Sequence, residues 1–213
     1  MATASRAKNK AVRAEKARET RRRIVAAASE LFTRDGYLQT TMAGIAAHAA
    51  VAVQTMYLSF GSKVAVLSAA LDVAIVGDDE PVPVLDRPWF AELRDEPDGK
   101  AALRLFVTAA SQIVHRTYPL YAVTRDASAD PELGEVLRRN KQLRFVTHTA
   151  VTRELATKAG FRPGLGVPLA AQTVYTLMSQ ETYGLLVSEH GWSVAEWADW
   201  VERHIRAELF SGA

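Results

Sequence analysis

The chain has no cysteine, which excludes disulfide scaffolds, cysteine-based zinc sites, iron–sulfur clusters and thiol chemistry together. That lack fits a reducing compartment, and a cytoplasmic setting is expected. No apolar stretch follows the basic N-terminus, so a secretory leader is not expected. Catalytic signatures are missing too. There is no His-Glu-x-x-His pair, no Walker loop and no Gly-x-Ser-x-Gly elbow. Ser5-Arg6-Ala7-Lys8 has the Ser-x-x-Lys spacing but sits in a basic tail with no core to position it, and the glycines of 160–166 follow no strand. No enzyme, metal site or cofactor is therefore expected.

Charge is absent from one long run. Residues 36–62 contain no Asp, Glu, Lys or Arg, and on length alone could span a bilayer. The run is, however, studded with Gln39, Thr40, Thr41, His48, Gln54, Thr55, Ser59 and Ser62, and is rich in Ala rather than Leu, Ile or Phe. It is not expected to enter a membrane. Short polar groups without charge need another explanation.

What is present is 213 residues, 48% hydrophobic and 23% charged, ordinary for one large globular domain or two small ones. The net charge of +2 conceals a split. Residues 1–63 hold eleven Lys/Arg against four Asp/Glu, whereas residues 64–213 hold fifteen against twenty. Arg21, Arg22 and Arg23 close the basic leading segment. A basic segment on a mildly acidic body points to a polyanionic partner, with a solvated tail as the plain alternative. An anionic membrane fits less well, because few large apolar side chains separate the basic ones before Ile24.

Helical periodicity and end signals divide the chain. Residues 1–14 read as mobile. A helix from about Thr20 carries Ile24, Ala27, Ala28, Leu31 and Phe32 on one stripe and can end at Gly36. Thr40 or Thr41 can cap a second helix that buries Met42, Ile45, Ala46 and Ala49. A turn at 50–52 leads to a third helix from Val53 to about Ser59. Gly61 breaks it and Ser62 caps a fourth, running to about Val76. A proline-rich acidic loop follows, then one or two helical turns at 89–93. Helices are expected at 99–116, 119–128, 131–158 and 168–189, the last bent near Gln180 or Gly184. Ser193 and Glu196 form a capping box, with Trp192 and Trp197 at the staple positions, opening a final helix whose apolar face is Val194, Trp197, Val201, Ile205 and Leu209. No strand and no repeat is evident. The expected fold is all-α with about nine helices: a basic arm at 1–19, a three-helix helix-turn-helix domain at 20–67, and a second helical domain at 68–213.

The third helix divides by face. Val51, Met56 and Phe60 can pack inward, while Val53, Gln54, Thr55 and Tyr57 can point outward. A glutamine amide matches the donor–acceptor pair of an adenine edge, and Thr or Val can meet a thymine methyl. The hydroxyls of Tyr57 and Thr41 can donate to phosphate oxygens. Lys63 in the first turn of the fourth helix opposes the helix dipole, which makes sense if an anion sits there; a lysine extending into water is the alternative. An uncharged reading surface avoids carboxylates that would repel phosphate.

The run Ile45-Ala46-Ala47-His48-Ala49-Ala50-Val51-Ala52-Val53-Gln54-Thr55-Met56-Tyr57-Leu58-Ser59-Phe60-Gly61-Ser62-Lys63 resembles the DNA-binding signature of TetR-type transcriptional regulators, with Thr55, Tyr57, Phe60 and Lys63 as its most specific part. The resemblance covers about residues 20–71. More loosely, Asp130-Pro131-Glu132-Leu133 and 181–187 followed by Gly191-Trp192-Ser193 resemble C-terminal domains common among actinobacterial members. The resemblance implies an all-helical homodimer, with a helical ligand-binding and dimerisation domain at 68–213, that binds a palindromic DNA operator and is released by a small-molecule effector of unknown identity. It matches Thr41, Tyr57 and Lys63 to phosphate contacts and Gln54 and Thr55 to base-reading positions; Arg21 and Arg22 add charge beside them. Two departures stand out: Ala50 occupies the usual glycine of the turn, and Ala52 the usual Ser or Thr cap.

The last two long helices are the expected dimer interface, because Val174, Leu177, Leu185, Leu186, Trp197, Val201 and Leu209 exceed what one internal face needs. Phe106, His115, Tyr118, Tyr121, Thr124, Phe145, Thr147, His148, Tyr175 and Met178 place aromatic and polar groups on otherwise apolar helices, a mix suited to an effector cavity. Plain core packing is the alternative for each. Two other readings stay open: a DNA-binding dimer with no effector, and an all-α enzyme containing a tri-helical segment.

Overall fold

A computed structural model describes residues 2–77 and 82–211, with the side chains of 2–9 and 11 outside the description. Arg6 and Lys8 of the basic arm fall among those side chains. The chain forms α1 (Ala2–Gln39), α2 (Met42–His48), α3 (Val53–Phe60) and α4 (Lys63–Val76). A 3-10 turn (Val84–Asp86) then leads to α5 (Pro88–Asp95), α6 (Gly99–Asp126), α7 (Pro131–Leu155), α8 (Val167–Leu177) and α9 (Gln180–Tyr183). The one-turn α9 runs into a π-turn (Gly184–Glu189) before α10 (Val194–Leu209). No strand occurs among the described residues; two isolated bridges, Asp98 with Ala159 and Phe161 with Phe210, tie loop ends together.

End signals act where one turn of chain decides them. The side chains of Thr41, Ser62, Asp98, Asp130 and Ser193 each accept a hydrogen bond from a backbone N–H of the helix they open, and Glu196 completes the capping box of α10. Gly36, at φ 78° and ψ 172°, breaks α1 in a region only glycine enters readily.

Two helices depart from the sequence reading. α1 starts at Ala2 rather than near Thr20, so the basic arm is helical. Its Ala, Lys, Arg and Glu are all strong helix formers, and Glu15 and Glu19 pair with Arg18 and Arg22 along one flank. α6 runs unbroken through Pro119, which was expected to start a new helix. Proline costs roughly 3 kcal/mol in a helix interior. Burial of Val114 and Thr117 on one side and Leu120, Tyr121 and Thr124 on the other holds the helix through it.

Two cores result. The first packs Ile24, Ala28 and Phe32 of α1, Ile45 and Ala46 of α2, Met56 of α3 and Val66, Leu67 and Ala70 of α4, and takes in Leu120 and Leu133 from the body. The second unites Leu93, Leu103, Phe106, Val151, Val174 and Trp197 with their neighbours. α4 packs on both α1 and α6, and so joins the two halves.

The apolar width of the last two long helices is mostly taken up within one subunit rather than left for a dimer interface. Val174, Trp197, Val201 and Leu209 are completely buried within one subunit, because α10 packs against both α6 and α8. Leu185 alone of the seven is largely exposed, joined by Leu169, Leu143 and Val146. Among the described residues no single helix is long and apolar enough to cross a membrane; α2 and α3 together match by composition but are bent by 111°.

Candidate nucleic-acid interface

The α2–turn–α3 unit is built on α1. Ile45, Ala46 and Met56 are fully buried against it and fix the two short helices. The turn places Ala50 at φ 52°, a left-handed conformation that a side chain disfavours. Arg23 compensates: its guanidinium donates to the carbonyls of Ala49 (2.5 Å) and Ala50 (2.7 Å) and so clamps the turn to α1. Sequence reading counted Arg23 only as charge; nothing local signals a partner 26 residues away. Ala52 opens α3 without any side-chain cap.

α3 turns a bare face to water. Val53, Gln54, Tyr57 and Leu58 are exposed, Tyr57 by 54% and Leu58 by 82%, while Thr55 is half-buried. Leu58 belongs to this face although sequence reading left it unassigned; its place one turn beyond Gln54 is the signal that could have found it. The Thr41 hydroxyl accepts from the Gly44 N–H at 2.9 Å, which leaves its own proton free to donate.

Lys63 is more engaged than a lysine reaching into water. Its ammonium donates to the carbonyls of Tyr37 (2.8 Å) and Thr40 (2.9 Å) and lies 4.0 Å from the Tyr37 ring centroid. Burial lowers its pKa. Three donors less two leave one N–H for an outside acceptor. The two candidate arginines also have partners: Arg21 stacks over Phe60 at 4.4 Å, and Arg22 bonds Glu15 (3.3 Å) and Glu19 (2.8 Å).

The structure separates the residues expected to line an effector cavity from the space that could hold one. Phe106, His148, Tyr175 and Phe145 form a chain of edge-on ring contacts. Thr124 and Met178 are buried, and the Thr124 hydroxyl donates to Leu120. His115 bonds the Tyr183 hydroxyl at 2.6 Å, and Tyr118 packs on the Tyr183 ring. Thr147 donates to the Leu143 carbonyl. Tyr121 donates to Glu181 at 2.7 Å, and Glu181 also pairs with Lys141 at 2.9 Å. Burial and that hydrogen bond push Tyr121 up to about 12. Burial pushes Glu181 up as well, but the hydrogen bonds from Lys141 and Tyr121 and the Arg144 charge outweigh it and bring it down to about 2. Burial, with the charge of Arg144, lowers His148 to about 3. These groups make a packed polar–aromatic layer. Among the described residues, a groove of about 600 Å³ lies between the end of α4, the 3-10 turn, α5 and α6, and none of the ten lines it.

Residues 24–70 match the family described as bacterial regulatory proteins, tetR family. No curated protein matches the chain. Three solved structures are similar over nearly their whole length. The transcriptional regulator FadR from Bacillus subtilis, in complex with stearoyl-CoA, shares 20% identity over 86% of this chain and 96% of its own, with a TM-score of 0.67. A regulator from Saccharomonospora viridis in complex with choline shares 19% over 91% and 99%, with a TM-score of 0.68. NalD, the secondary repressor of the MexAB-OprM multidrug efflux pump in Pseudomonas aeruginosa, shares 17% over 92% and 100%, with a TM-score of 0.64. The helix-turn-helix region thus matches the tetR family, and the fold of the whole chain is the one these solved regulators share.

Proposed function

We propose that the protein is a cytoplasmic, dimeric repressor that grips a near-palindromic operator with α3 and lets go when a small molecule binds its helical body. The exposed, uncharged face of α3 carries this reading: Val53, Gln54 and Tyr57 stand clear of a scaffold whose buried side holds them rigid. Gln54, Thr55 and Val53 meet base edges, while Tyr57, Thr41 and the remaining N–H of Lys63 meet phosphates. Arg21 and Arg22 flank the site and exchange ring and carboxylate partners for phosphate on binding. Two copies related by a twofold axis set their α3 helices roughly 34–36 Å apart, one turn of DNA. The exposed Leu169 of α8 and Leu185 of the π-turn anchor that dimer. Two of the similar regulators hold a small molecule, stearoyl-CoA or choline, and the groove beside α4 gives this chain room for one.

Genomic fragments captured by the purified protein supply the operator, and its affinity is then measured against salt. A steep loss is expected, with a log–log slope of about −0.9 per phosphate neutralised. Gln54→Ala relaxes preference at one base position, costing about 1–3 kcal/mol of discrimination, and leaves the salt slope unchanged. A flat salt dependence, or unchanged preference in the variant, refutes the reading.

A further inference from the structure

α2 ends in a left-handed turn built on alanine. The Ala50 N–H bonds the Ala47 carbonyl (3.1 Å) and the Val51 N–H bonds the Ala46 carbonyl (2.9 Å), the paired bonds of a Schellman motif. Ala49 is the C-cap, so Ala50 takes the next position, where φ is 52° and glycine is strongly preferred. Val51 packs on the core of the head, the apolar contact that accompanies such a motif. In that conformation a Cβ crowds the following carbonyl oxygen, so an alanine tends back toward negative φ. α3 gives the turn little support: Ala52 offers no side-chain cap, and Met56 alone of its eight residues is fully buried.

Arg23 acts on this one residue. Its Nη2 donates to the carbonyls of both Ala49 and Ala50. Those oxygens belong to the two rigid peptide planes that meet at the Ala50 Cα, one turned by φ and the other by ψ. A single planar nitrogen that holds both oxygens therefore restrains both dihedrals at once. The base of this clamp is itself fixed, because Ile24, the next residue of α1, is fully buried in the core of the head. The cation also complements the dipole at the end of α2.

We propose that Arg23 does the work of the missing glycine: it holds Ala50 left-handed and so sets the direction in which α3 leaves the turn, as a positioning residue for operator reading, which rests on α3 being the helix that meets DNA. Arg21, Arg22 and Arg23 are neighbours in one basic run with different tasks. The first two bring charge to the interface, and the third gives the reading helix its angle.

A double-substitution cycle of Arg23→Met and Ala50→Gly on the full chain tests this, read first by hydrogen exchange without DNA. Arg23→Met speeds exchange of the amides at residues 50 and 51 about tenfold or more, while the Leu103 amide of α6 keeps its wild-type rate. Ala50→Gly restores slow exchange in the Arg23→Met background and changes it far less when Arg23 is present, because glycine enters the left-handed region without a clamp. Arg13→Met removes the same charge from an exposed site on the same helix and leaves both amides as in the wild type. Operator affinity follows the same pattern. Arg23→Met binds about tenfold weaker with an unchanged salt slope, and Ala50→Gly recovers most of the loss. Unchanged exchange in Arg23→Met overturns the proposal. So does a loss that Ala50→Gly does not restore, misfolding included. Weaker binding that glycine does not recover, with a slope shallower by about 0.9, makes Arg23 a phosphate contact and also overturns it. The exchange cycle involves no DNA, so a chain that binds no operator sinks the repressor reading while the clamp still stands or falls on residues 50 and 51.

Discussion

The reading head and the helical body solve opposite problems. In the head, backbone groups at the turn find partners through Arg23 and Lys63, while apolar and aromatic side chains of α3 stay in water. In the body apolar faces close around Trp197, while among the described residues polar atoms such as Arg144 Nε, His148 Nδ1 and Gln180 Oε1 are buried without a hydrogen bond. A buried polar group left unpaired costs about 1–3 kcal/mol. The head is thus incomplete at its surface, as befits a part finished by a partner. The body holds polar atoms without partners inside its packed layer, which makes that packing easier to shift.

Removing packing from the body tests this most severely. Trp197 is fully buried, edge-on to Tyr183 and bonded through its indole N–H to Thr182. Trp197→Ala should cost about 3–5 kcal/mol of stability by denaturant unfolding. Leu58→Ala on the head should stay within about 0.5 kcal/mol of wild type, as for other exposed sites. If Trp197 lay in a subunit interface instead, its replacement would dissociate dimers and leave an isolated subunit equally stable.

Acid separates the halves next. His148 is lowered from 6.5 to about 3, so the unfolded chain takes up a proton there before the folded one does. Its contribution is fully present above pH 6.5 and is lost as pH falls toward about 3, at about 1.4 kcal/mol per pH unit. Glu181, brought down to about 2, adds its own loss only as pH falls below its ordinary 4.5. His148→Gln should therefore flatten the fall in thermal midpoint between pH 6.5 and 4.5, whatever its absolute stability. A wild-type midpoint that stays constant over that interval would show His148 to be solvated, and the layer open.

The same contrast explains what could be read from residues alone. Thr41, Ser62, Asp130 and the Ser193–Glu196 box act within one helical turn, and the helices they open begin where those residues say. The outward face of α3 followed from periodicity over eight residues. Pro119 misled because a local rule lost to burial on both sides of it. The aromatic and polar groups of α6 and α7 looked like a cavity lining, yet composition cannot tell a packed layer from a hollow one. Tyr118 shows why: it closes onto Gly184, where a Cβ would fall 2.7 Å from its hydroxyl, a match made across 66 residues. The groove arises where the short α5 and the end of α4 leave one face of α6 uncovered, which no periodicity encodes.

The gentlest substitutions lie in the head, at the turn that carries α3. Ala50 holds φ 52° at a cost of roughly 1–2 kcal/mol. Glycine removes that cost but loses more freedom on folding, roughly 0.5–1 kcal/mol, so Ala50→Gly should gain only about 0.5–1 kcal/mol. Ala52→Ser supplies the missing cap of α3, worth about 1 kcal/mol. If α3 is already rigid without DNA, both gains appear in unfolding midpoints and operator affinity stays constant. If α3 is ordered by DNA, the ordering cost is part of binding, and the double variant binds tighter by up to about tenfold. The second outcome would move flexibility from the body into the head, because an uncapped α3 on a strained turn would then be the softest part of the molecule rather than its fixed reading edge.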